Sequence, residues 1–231
     1  MIRIRPWRSG FRIARGWAIA ALLAAGCAAH DDPSLKPLLA INELQYDAGV
    51  IMTKAERLYD DRDYDEAATE YERFLELHPV HRWAPHAQFK LALSYDHRIP
   101  KVGRDPSIAE KAQAAFERVL SYSGTRYDEV AKAKLIEIRR YLARSDLAIG
   151  RFYAKQGRYP GAIARFQKIL AADVGGDVTE EAWYLLALAY EQDGQINEAA
   201  ATAQSLLQAL PHSRYAKPIA KLRARIAARA S

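Results

Sequence analysis

Few side chains in this 231-residue chain have the type and spacing to do chemistry. His78, His81, His86 and His97 lie close together, and four neighbouring imidazoles could ligate a metal such as zinc. Pro79 and Pro85 break the helical phase between them, the segment has no cysteine, and no acid stands at a ligand spacing. They are therefore expected to be surface histidines. Asp60, Asp61, Asp63, Asp65 and Glu66 suggest a calcium loop, but an EF-hand needs a central glycine and a glutamate at its twelfth position, and both are missing. These acids suit the start of a helix, where carboxylates meet the positive end of the dipole. No nucleophile elbow, phosphate loop, zinc motif or dinucleotide fingerprint is present. The expectation is no catalytic residue, no metal, no cofactor and no enzyme. One reactive group is left, the thiol of Cys27.

Cys27 is the only cysteine, and the residues before it explain its place. Arg3, Arg5, Arg8, Arg12 and Arg15 form a positive leader, Trp17 to Ala25 form a short apolar run, and small residues follow. This is the layout of a secretory signal peptide. The run is far shorter than the roughly 20 apolar residues that span a bilayer. Leu23-Ala24-Ala25-Gly26-Cys27 resembles a bacterial lipobox, with Ala24 where an aliphatic residue is usual. Such a motif implies a diacylglycerol on the Cys27 sulfur and cleavage just before it. A lone thiol is otherwise an odd cargo for a disulfide-forming compartment. Residues 1–26 are thus read as a lipoprotein signal peptide and 27–40 as a lipidated tether carrying Pro33 and Pro37. Ala28 rather than aspartate after the cysteine resembles an outer-membrane address.

The formal charge of +6 comes largely from the leader. Without its five arginines, 29 bases face 28 acids, a balance that offers no field to attract nucleic acid. The distribution is uneven: residues 31–80 hold 13 acids and 5 bases, whereas 126–231 hold 17 bases and 11 acids.

The remaining chain must supply the elements. Apolar residues recur at helical spacing, as in Leu135, Ile138 and Leu142 or Ala182, Leu185, Leu186 and Ala189, so an all-α fold is expected. Internal copies decide its kind. Tyr153, Gly157 and Ala162 repeat as Tyr190, Gly194 and Ala199, with Trp183, Leu186 and Ala187 before and Pro211 after. Earlier copies supply Leu58, Ala67, Tyr71, Phe74 and Pro79, then Leu91, Ala92, Tyr95, Ala112, Phe116 and Val119. These positions resemble the tetratricopeptide repeat (TPR) pattern, in which small residues mark the contact of two antiparallel helices and aromatics fill the space beside it. Ala67, Ala112, Ala162 and Ala199 are 45, 50 and 37 residues apart rather than 34 throughout. The excess falls in a loop at 96–107 and in a long helix expected over 127–156. Ser213 onward reads as a capping helix with Pro218 near its first turn. The expected fold is a TPR solenoid of about four helix pairs, divided into an N-terminal half (41–125) and a C-terminal half with the cap (126–231). Tyr64, Tyr71, Tyr95, Phe116, Phe152, Phe166 and Trp183 are expected in its core.

Lipobox, tether, interrupted TPRs and the run FYAKQGRYPGAIARFQKIL together resemble the BamD family, the TPR lipoproteins of outer-membrane β-barrel assembly. The likeness is best from Asp105 to Leu170, through Asp105, Pro106, Phe152, Tyr153, Gly157, Tyr159, Gly161, Ala162 and Arg165. Four repeats stand where well-studied members have five, Arg139-Arg140 replaces an acid–arginine pair, and Asp146 takes the place of a common glutamate. The resemblance implies a scaffold anchored to the periplasmic face of the outer membrane. Its C-terminal repeats would bind the barrel-forming assembly protein, beside other assembly lipoproteins, and its N-terminal repeats unfolded outer-membrane precursors. It implies partner contacts at Arg139, Arg140, Tyr153 and Arg165. Other envelope roles on the same fold are a pilotin-like secretion factor, a Tol–Pal coordinator or a recruiter of cell-wall hydrolases. Lys217, Lys221, Arg223, Arg225 and Arg229 could meet an anionic partner or lipid headgroups, or simply favour the dipole of the last helix.

Overall fold

The structure, a computed structural model, describes residues 46–101 and 105–230. The signal peptide, Cys27 and the tether lie outside the described residues. The chain divides into two units, Met1–Val50 and Ile51–Ser231. Of the first, only residues 46–50 are described. There the Asp47 carboxylate accepts the backbone N–H groups of Gly49 (2.8 Å) and Val50 (3.0 Å), capping the start of a helix.

The described residues form nine α-helices: α1 (Ala48–Asp60), α2 (Tyr64–Leu77), α3 (Ala84–His97), α4 (Ser107–Ser121), α5 (Asp128–Lys155), α6 (Tyr159–Ala171), α7 (Gly176–Gln192), α8 (Ile196–Ala209) and α9 (Ala216–Ala230). They make four antiparallel pairs and a cap, the TPR arrangement. From α2 onward each helix packs on the next, and α7 also touches α5 and α9. The small residues at the crossings are fully enclosed: Ala55 with Ala67, Ala92 with Ala112, and Ala187 with Ala199. In the third pair Gly150 faces the ring of Phe166, from which an added Cβ would stand 2.5 Å. Only glycine admits that ring.

The turns follow from local chemistry. Gly157 (φ +71°) and Gly194 (φ +82°) close the pairs α5–α6 and α7–α8 in the left-handed region. Arg62 (φ +65°) does the same between α1 and α2 without a glycine. Asp105 accepts from the Ser107 N–H (3.0 Å) and hydroxyl (2.8 Å) before α4. Asp128 accepts from Gly124 N–H (2.9 Å) and Thr125 Oγ1 (2.6 Å) at the start of α5. That cap fixes the long helix within a residue of where its periodicity puts it, and the boundary at 125/126 lies in the turn before it. Pro218 sits in the first turn of α9, which buries Ile219, Leu222 and Ile226 as one stripe against the last pairs.

Of the expected core aromatics, Tyr71, Tyr95, Phe116 and Phe166 are buried, while Tyr64 and Trp183 are half-buried. Phe152 is a correction: it is 57% exposed. The packed face of α5 runs through Leu147, Gly150 and Tyr153, and Phe152 lies about 100° around the helix from each neighbour in sequence.

Candidate functional site

The site grows from one carboxylate. Asp146 lies on α5 with its side chain 7% exposed, and its two oxygens accept from Arg165 Nη1 (2.8 Å) and Lys168 Nζ (3.0 Å). Arg165 and Lys168 are three residues apart, so α6 presents both on one side. A buried carboxylate must be paired, and these two cations do it while their side chains stay partly exposed. Lys168 also lies 4.0 Å from Glu110 of α4. Seven residues before Asp146, on the same face of α5, Arg139 meets Glu117 of α4 at 3.4 Å. Between α4, α5 and α6 runs a groove of about 400 Å³ whose walls include Gln113, Arg139, Leu142, Asp146 and Lys168. It offers positively charged hydrogen-bond donors around a neutralised acid and holds no nucleophile, which suits recognition of a carboxylate-bearing chain.

Of the four expected contact residues, Arg139 lines this groove and Arg165 pairs with the Asp146 in its wall. The other two do neither. Arg140 is exposed on a different face of α5. Tyr153 is half-buried against Gly161, where an added Cβ would come within 3.2 Å of its ring. With Ala148, Ile149 and Phe152 it lines a shallow hollow of about 320 Å³.

Of the four histidines, His78, His81 and His86 are half-buried and His97 is exposed. His86 bridges three repeats: Nε2 faces Glu56 Oε1 of α1 at 2.7 Å and Nδ1 faces the Tyr127 hydroxyl at 2.8 Å, just before α5. Lys90 Nζ reaches the other Glu56 oxygen at 3.1 Å. Partial burial, the largest single influence, pushes the Glu56 carboxyl up, but its bonds to His86 and Lys90 with the lysine charge outweigh it and hold the group at about 2. His97 stacks on Tyr64 with ring centroids 4.4 Å apart. Among the described residues no group of three or more His, Cys, Asp or Glu is placed to hold a metal ion, and no helix is long and apolar enough to cross a membrane.

The C-terminal bases divide. Arg225 forks onto both oxygens of the buried Glu191 of α7 (2.7 and 2.6 Å), whereas Lys217, Lys221 and Arg223 are exposed. The Asp146–Lys168 and Glu191–Arg225 pairs escape sequence reading because their partners are 22 and 34 residues apart. The visible signal was an acid on an apolar helix face.

Residues 44–206 match the model of a family described as YfiO, outer membrane lipoprotein. The chain belongs to the YfiO family. The match runs from just before α1 to α8, so it takes in all four helix pairs and the Asp146 groove. Relatives resembling this YfiO chain are called outer membrane protein assembly factor BamD. The one from Caulobacter vibrioides is 34% identical over 61% of this chain and 47% of its own length. That from Neisseria meningitidis serogroup A is 30% identical over 67% and 62%, and that from Rickettsia prowazekii 29% over 66% and 61%. The chain thus spans about half to two thirds of the length of the relatives it matches. Among solved structures, a thermophilic TPR protein from Thermus thermophilus is 20% identical over 79% of this chain and 98% of its own, with a TM-score of 0.30.

Proposed function

We propose that this YfiO-family chain is a non-enzymatic lipoprotein scaffold that assembles and inserts β-barrel proteins at the periplasmic face of the outer membrane. The observation that carries the reading is the family match across all four helix pairs, together with relatives named as assembly factors. In this reading Cys27 carries the lipid, residues 27–40 are the tether, the repeats of 41–125 meet unfolded precursors, and those of 126–231 bind the barrel-forming assembly protein. The groove beside Arg139, with Asp146 holding Arg165 and Lys168 in place, is the contact for an acidic segment of that protein. Arg140 and Tyr153 contribute from neighbouring faces.

The test is a pull-down from detergent-solubilised envelopes with the tagged, lipidated full chain. Recovery of a barrel protein with periplasmic repeats, lost with Arg139→Glu at an unchanged melting temperature, is the expected result. Arg165→Glu serves less well, because it would set a second carboxylate against buried Asp146 and disturb the fold. Recovery of secretin, Tol–Pal or cell-wall enzymes instead would overturn the reading.

A further inference from the structure

Residues 138–172 carry eight lysines and arginines and a single acid, Asp146, which the fold buries. Arg139 and Lys168 line the groove just described, and Arg165 pairs with its Asp146. Arg140, Arg144, Arg151 and Lys155 do not; all four are exposed on α5. At about 100° per residue they fall within roughly 60° of arc and extend along about 22 Å of helix. Their mean direction is roughly 140° around α5 from the groove residues Arg139, Leu142, Ala143 and Asp146. This is a separate surface.

The fold leaves three of the row's four bases uncompensated. Arg140 with Arg144, and Arg151 with Lys155, are like-charge pairs one turn apart, an arrangement that weakens a helix. Arg151 pairs with Glu181 of α7, but Arg214 also approaches that carboxylate, at 3.8 Å, so two cations share one acid. Arg140, Arg144 and Lys155 have no ion-pair partner among the described residues. The row's edge at Lys155 adjoins the near rim of the hollow, Ala148 at about 20° and Phe152 at about 60° around the helix, with Ile149 and Tyr153 farther round and Phe152 largely in solvent. Local repulsion together with an exposed aromatic is a cost to stability that folding does not explain.

We propose that this face of α5 docks an acidic segment of a partner protein, with carboxylates spaced along the arginine–lysine row and one large apolar side chain seated in the hollow at Phe152. Charge complementarity selects the acids, and the recess selects a side chain carried by a polypeptide. A bilayer surface would be met by protruding groups rather than by a recess. The surface shares Arg140 and Tyr153 with the contact proposed above but uses neither the groove nor the lipid, so it is tested apart from the assembly role.

The probe is a fluorescent helical peptide with glutamates spaced to match the four bases and a central leucine, titrated against the full chain by fluorescence anisotropy. The triple variant Arg140→Glu, Arg144→Glu, Lys155→Glu should weaken binding by about tenfold or more, and raised salt should do the same to the parent. Replacing the peptide's leucine by glutamine should weaken binding to the parent but not to Phe152→Ala. Lys132→Ala, an exposed base near the start of α5 that pairs with Glu129, should leave the affinity unchanged. Circular dichroism and melting of each variant confirm that the fold persists. Failure of the peptide to bind at low salt, or equal binding to the triple variant, overturns the proposal. So does a triple variant that loses binding to phosphatidylglycerol vesicles while keeping the peptide, which would make the face a lipid surface.

Discussion

At the scale of single residues, stability rests on atoms that are absent as much as on those present. Gly150 lets the Phe166 ring of α6 sit where any side chain would stand. Gly150→Ala should therefore destabilise the protein by roughly 1–3 kcal/mol through overpacking, even though alanine is the better helix former. Thermal or urea unfolding measures this; a neutral or stabilising outcome would show that Phe166 has somewhere else to go. Asp146 makes the complementary point. In the sequence it merely takes the place of a common glutamate, whereas the geometry assigns it to holding Arg165 and Lys168, so its influence on a partner passes through them.

At the scale of elements, the joints between repeats are partly ionic. Glu56 ties α1 to α3 through His86 and Lys90, and His86 passes the contact to Tyr127, whose ring Phe89 of α3 stacks on at 4.4 Å. The folded carboxyl, at about 2, lies below its ordinary 4.5. Its stabilising contribution is then complete above about 4.5 and is lost as pH falls from there toward about 2. The melting temperature of the parent should exceed that of Glu56→Gln at neutral pH, with the gap closing below about 4.5. A gap that stays constant across that window would mean the network does not stabilise the joint. The long helix is the second element that matters. Its 28 residues run without a break from one half of the repeats to the next, and three of its faces serve packing, the Asp146 groove and the basic row.

At the scale of the whole molecule, a repeat body bearing two charged surfaces is expected to work at the membrane only through its anchor. One acyl chain binds a bilayer weakly, and stable anchoring needs two or more, at about 0.8 kcal/mol per buried methylene. Cys27→Ser should leave the protein unlipidated and move it from the outer-membrane fraction to the soluble or inner-membrane fraction. Fractionation with metabolic palmitate labelling reads this directly. Label that persists in the variant would rule Cys27 out as the lipid site.

The sequence by itself determined the helices, their pairing and most of the core. TPR positions depend on spacing within some thirty residues, and Ala67, Ala112, Ala162 and Ala199 mark the crossings wherever the loops fall. The extent of α5 was legible too, because nothing breaks its period between the Asp128 cap and Gly157. Tertiary structure alone decided which charges are spent. Asp146, Glu191 and Glu56 meet cations on other helices, and no periodicity within one helix shows whether its neighbour brings a base to the same depth. It also turned Phe152 outward, since a helix about four turns longer than α4 and α6 has more surface than they can cover.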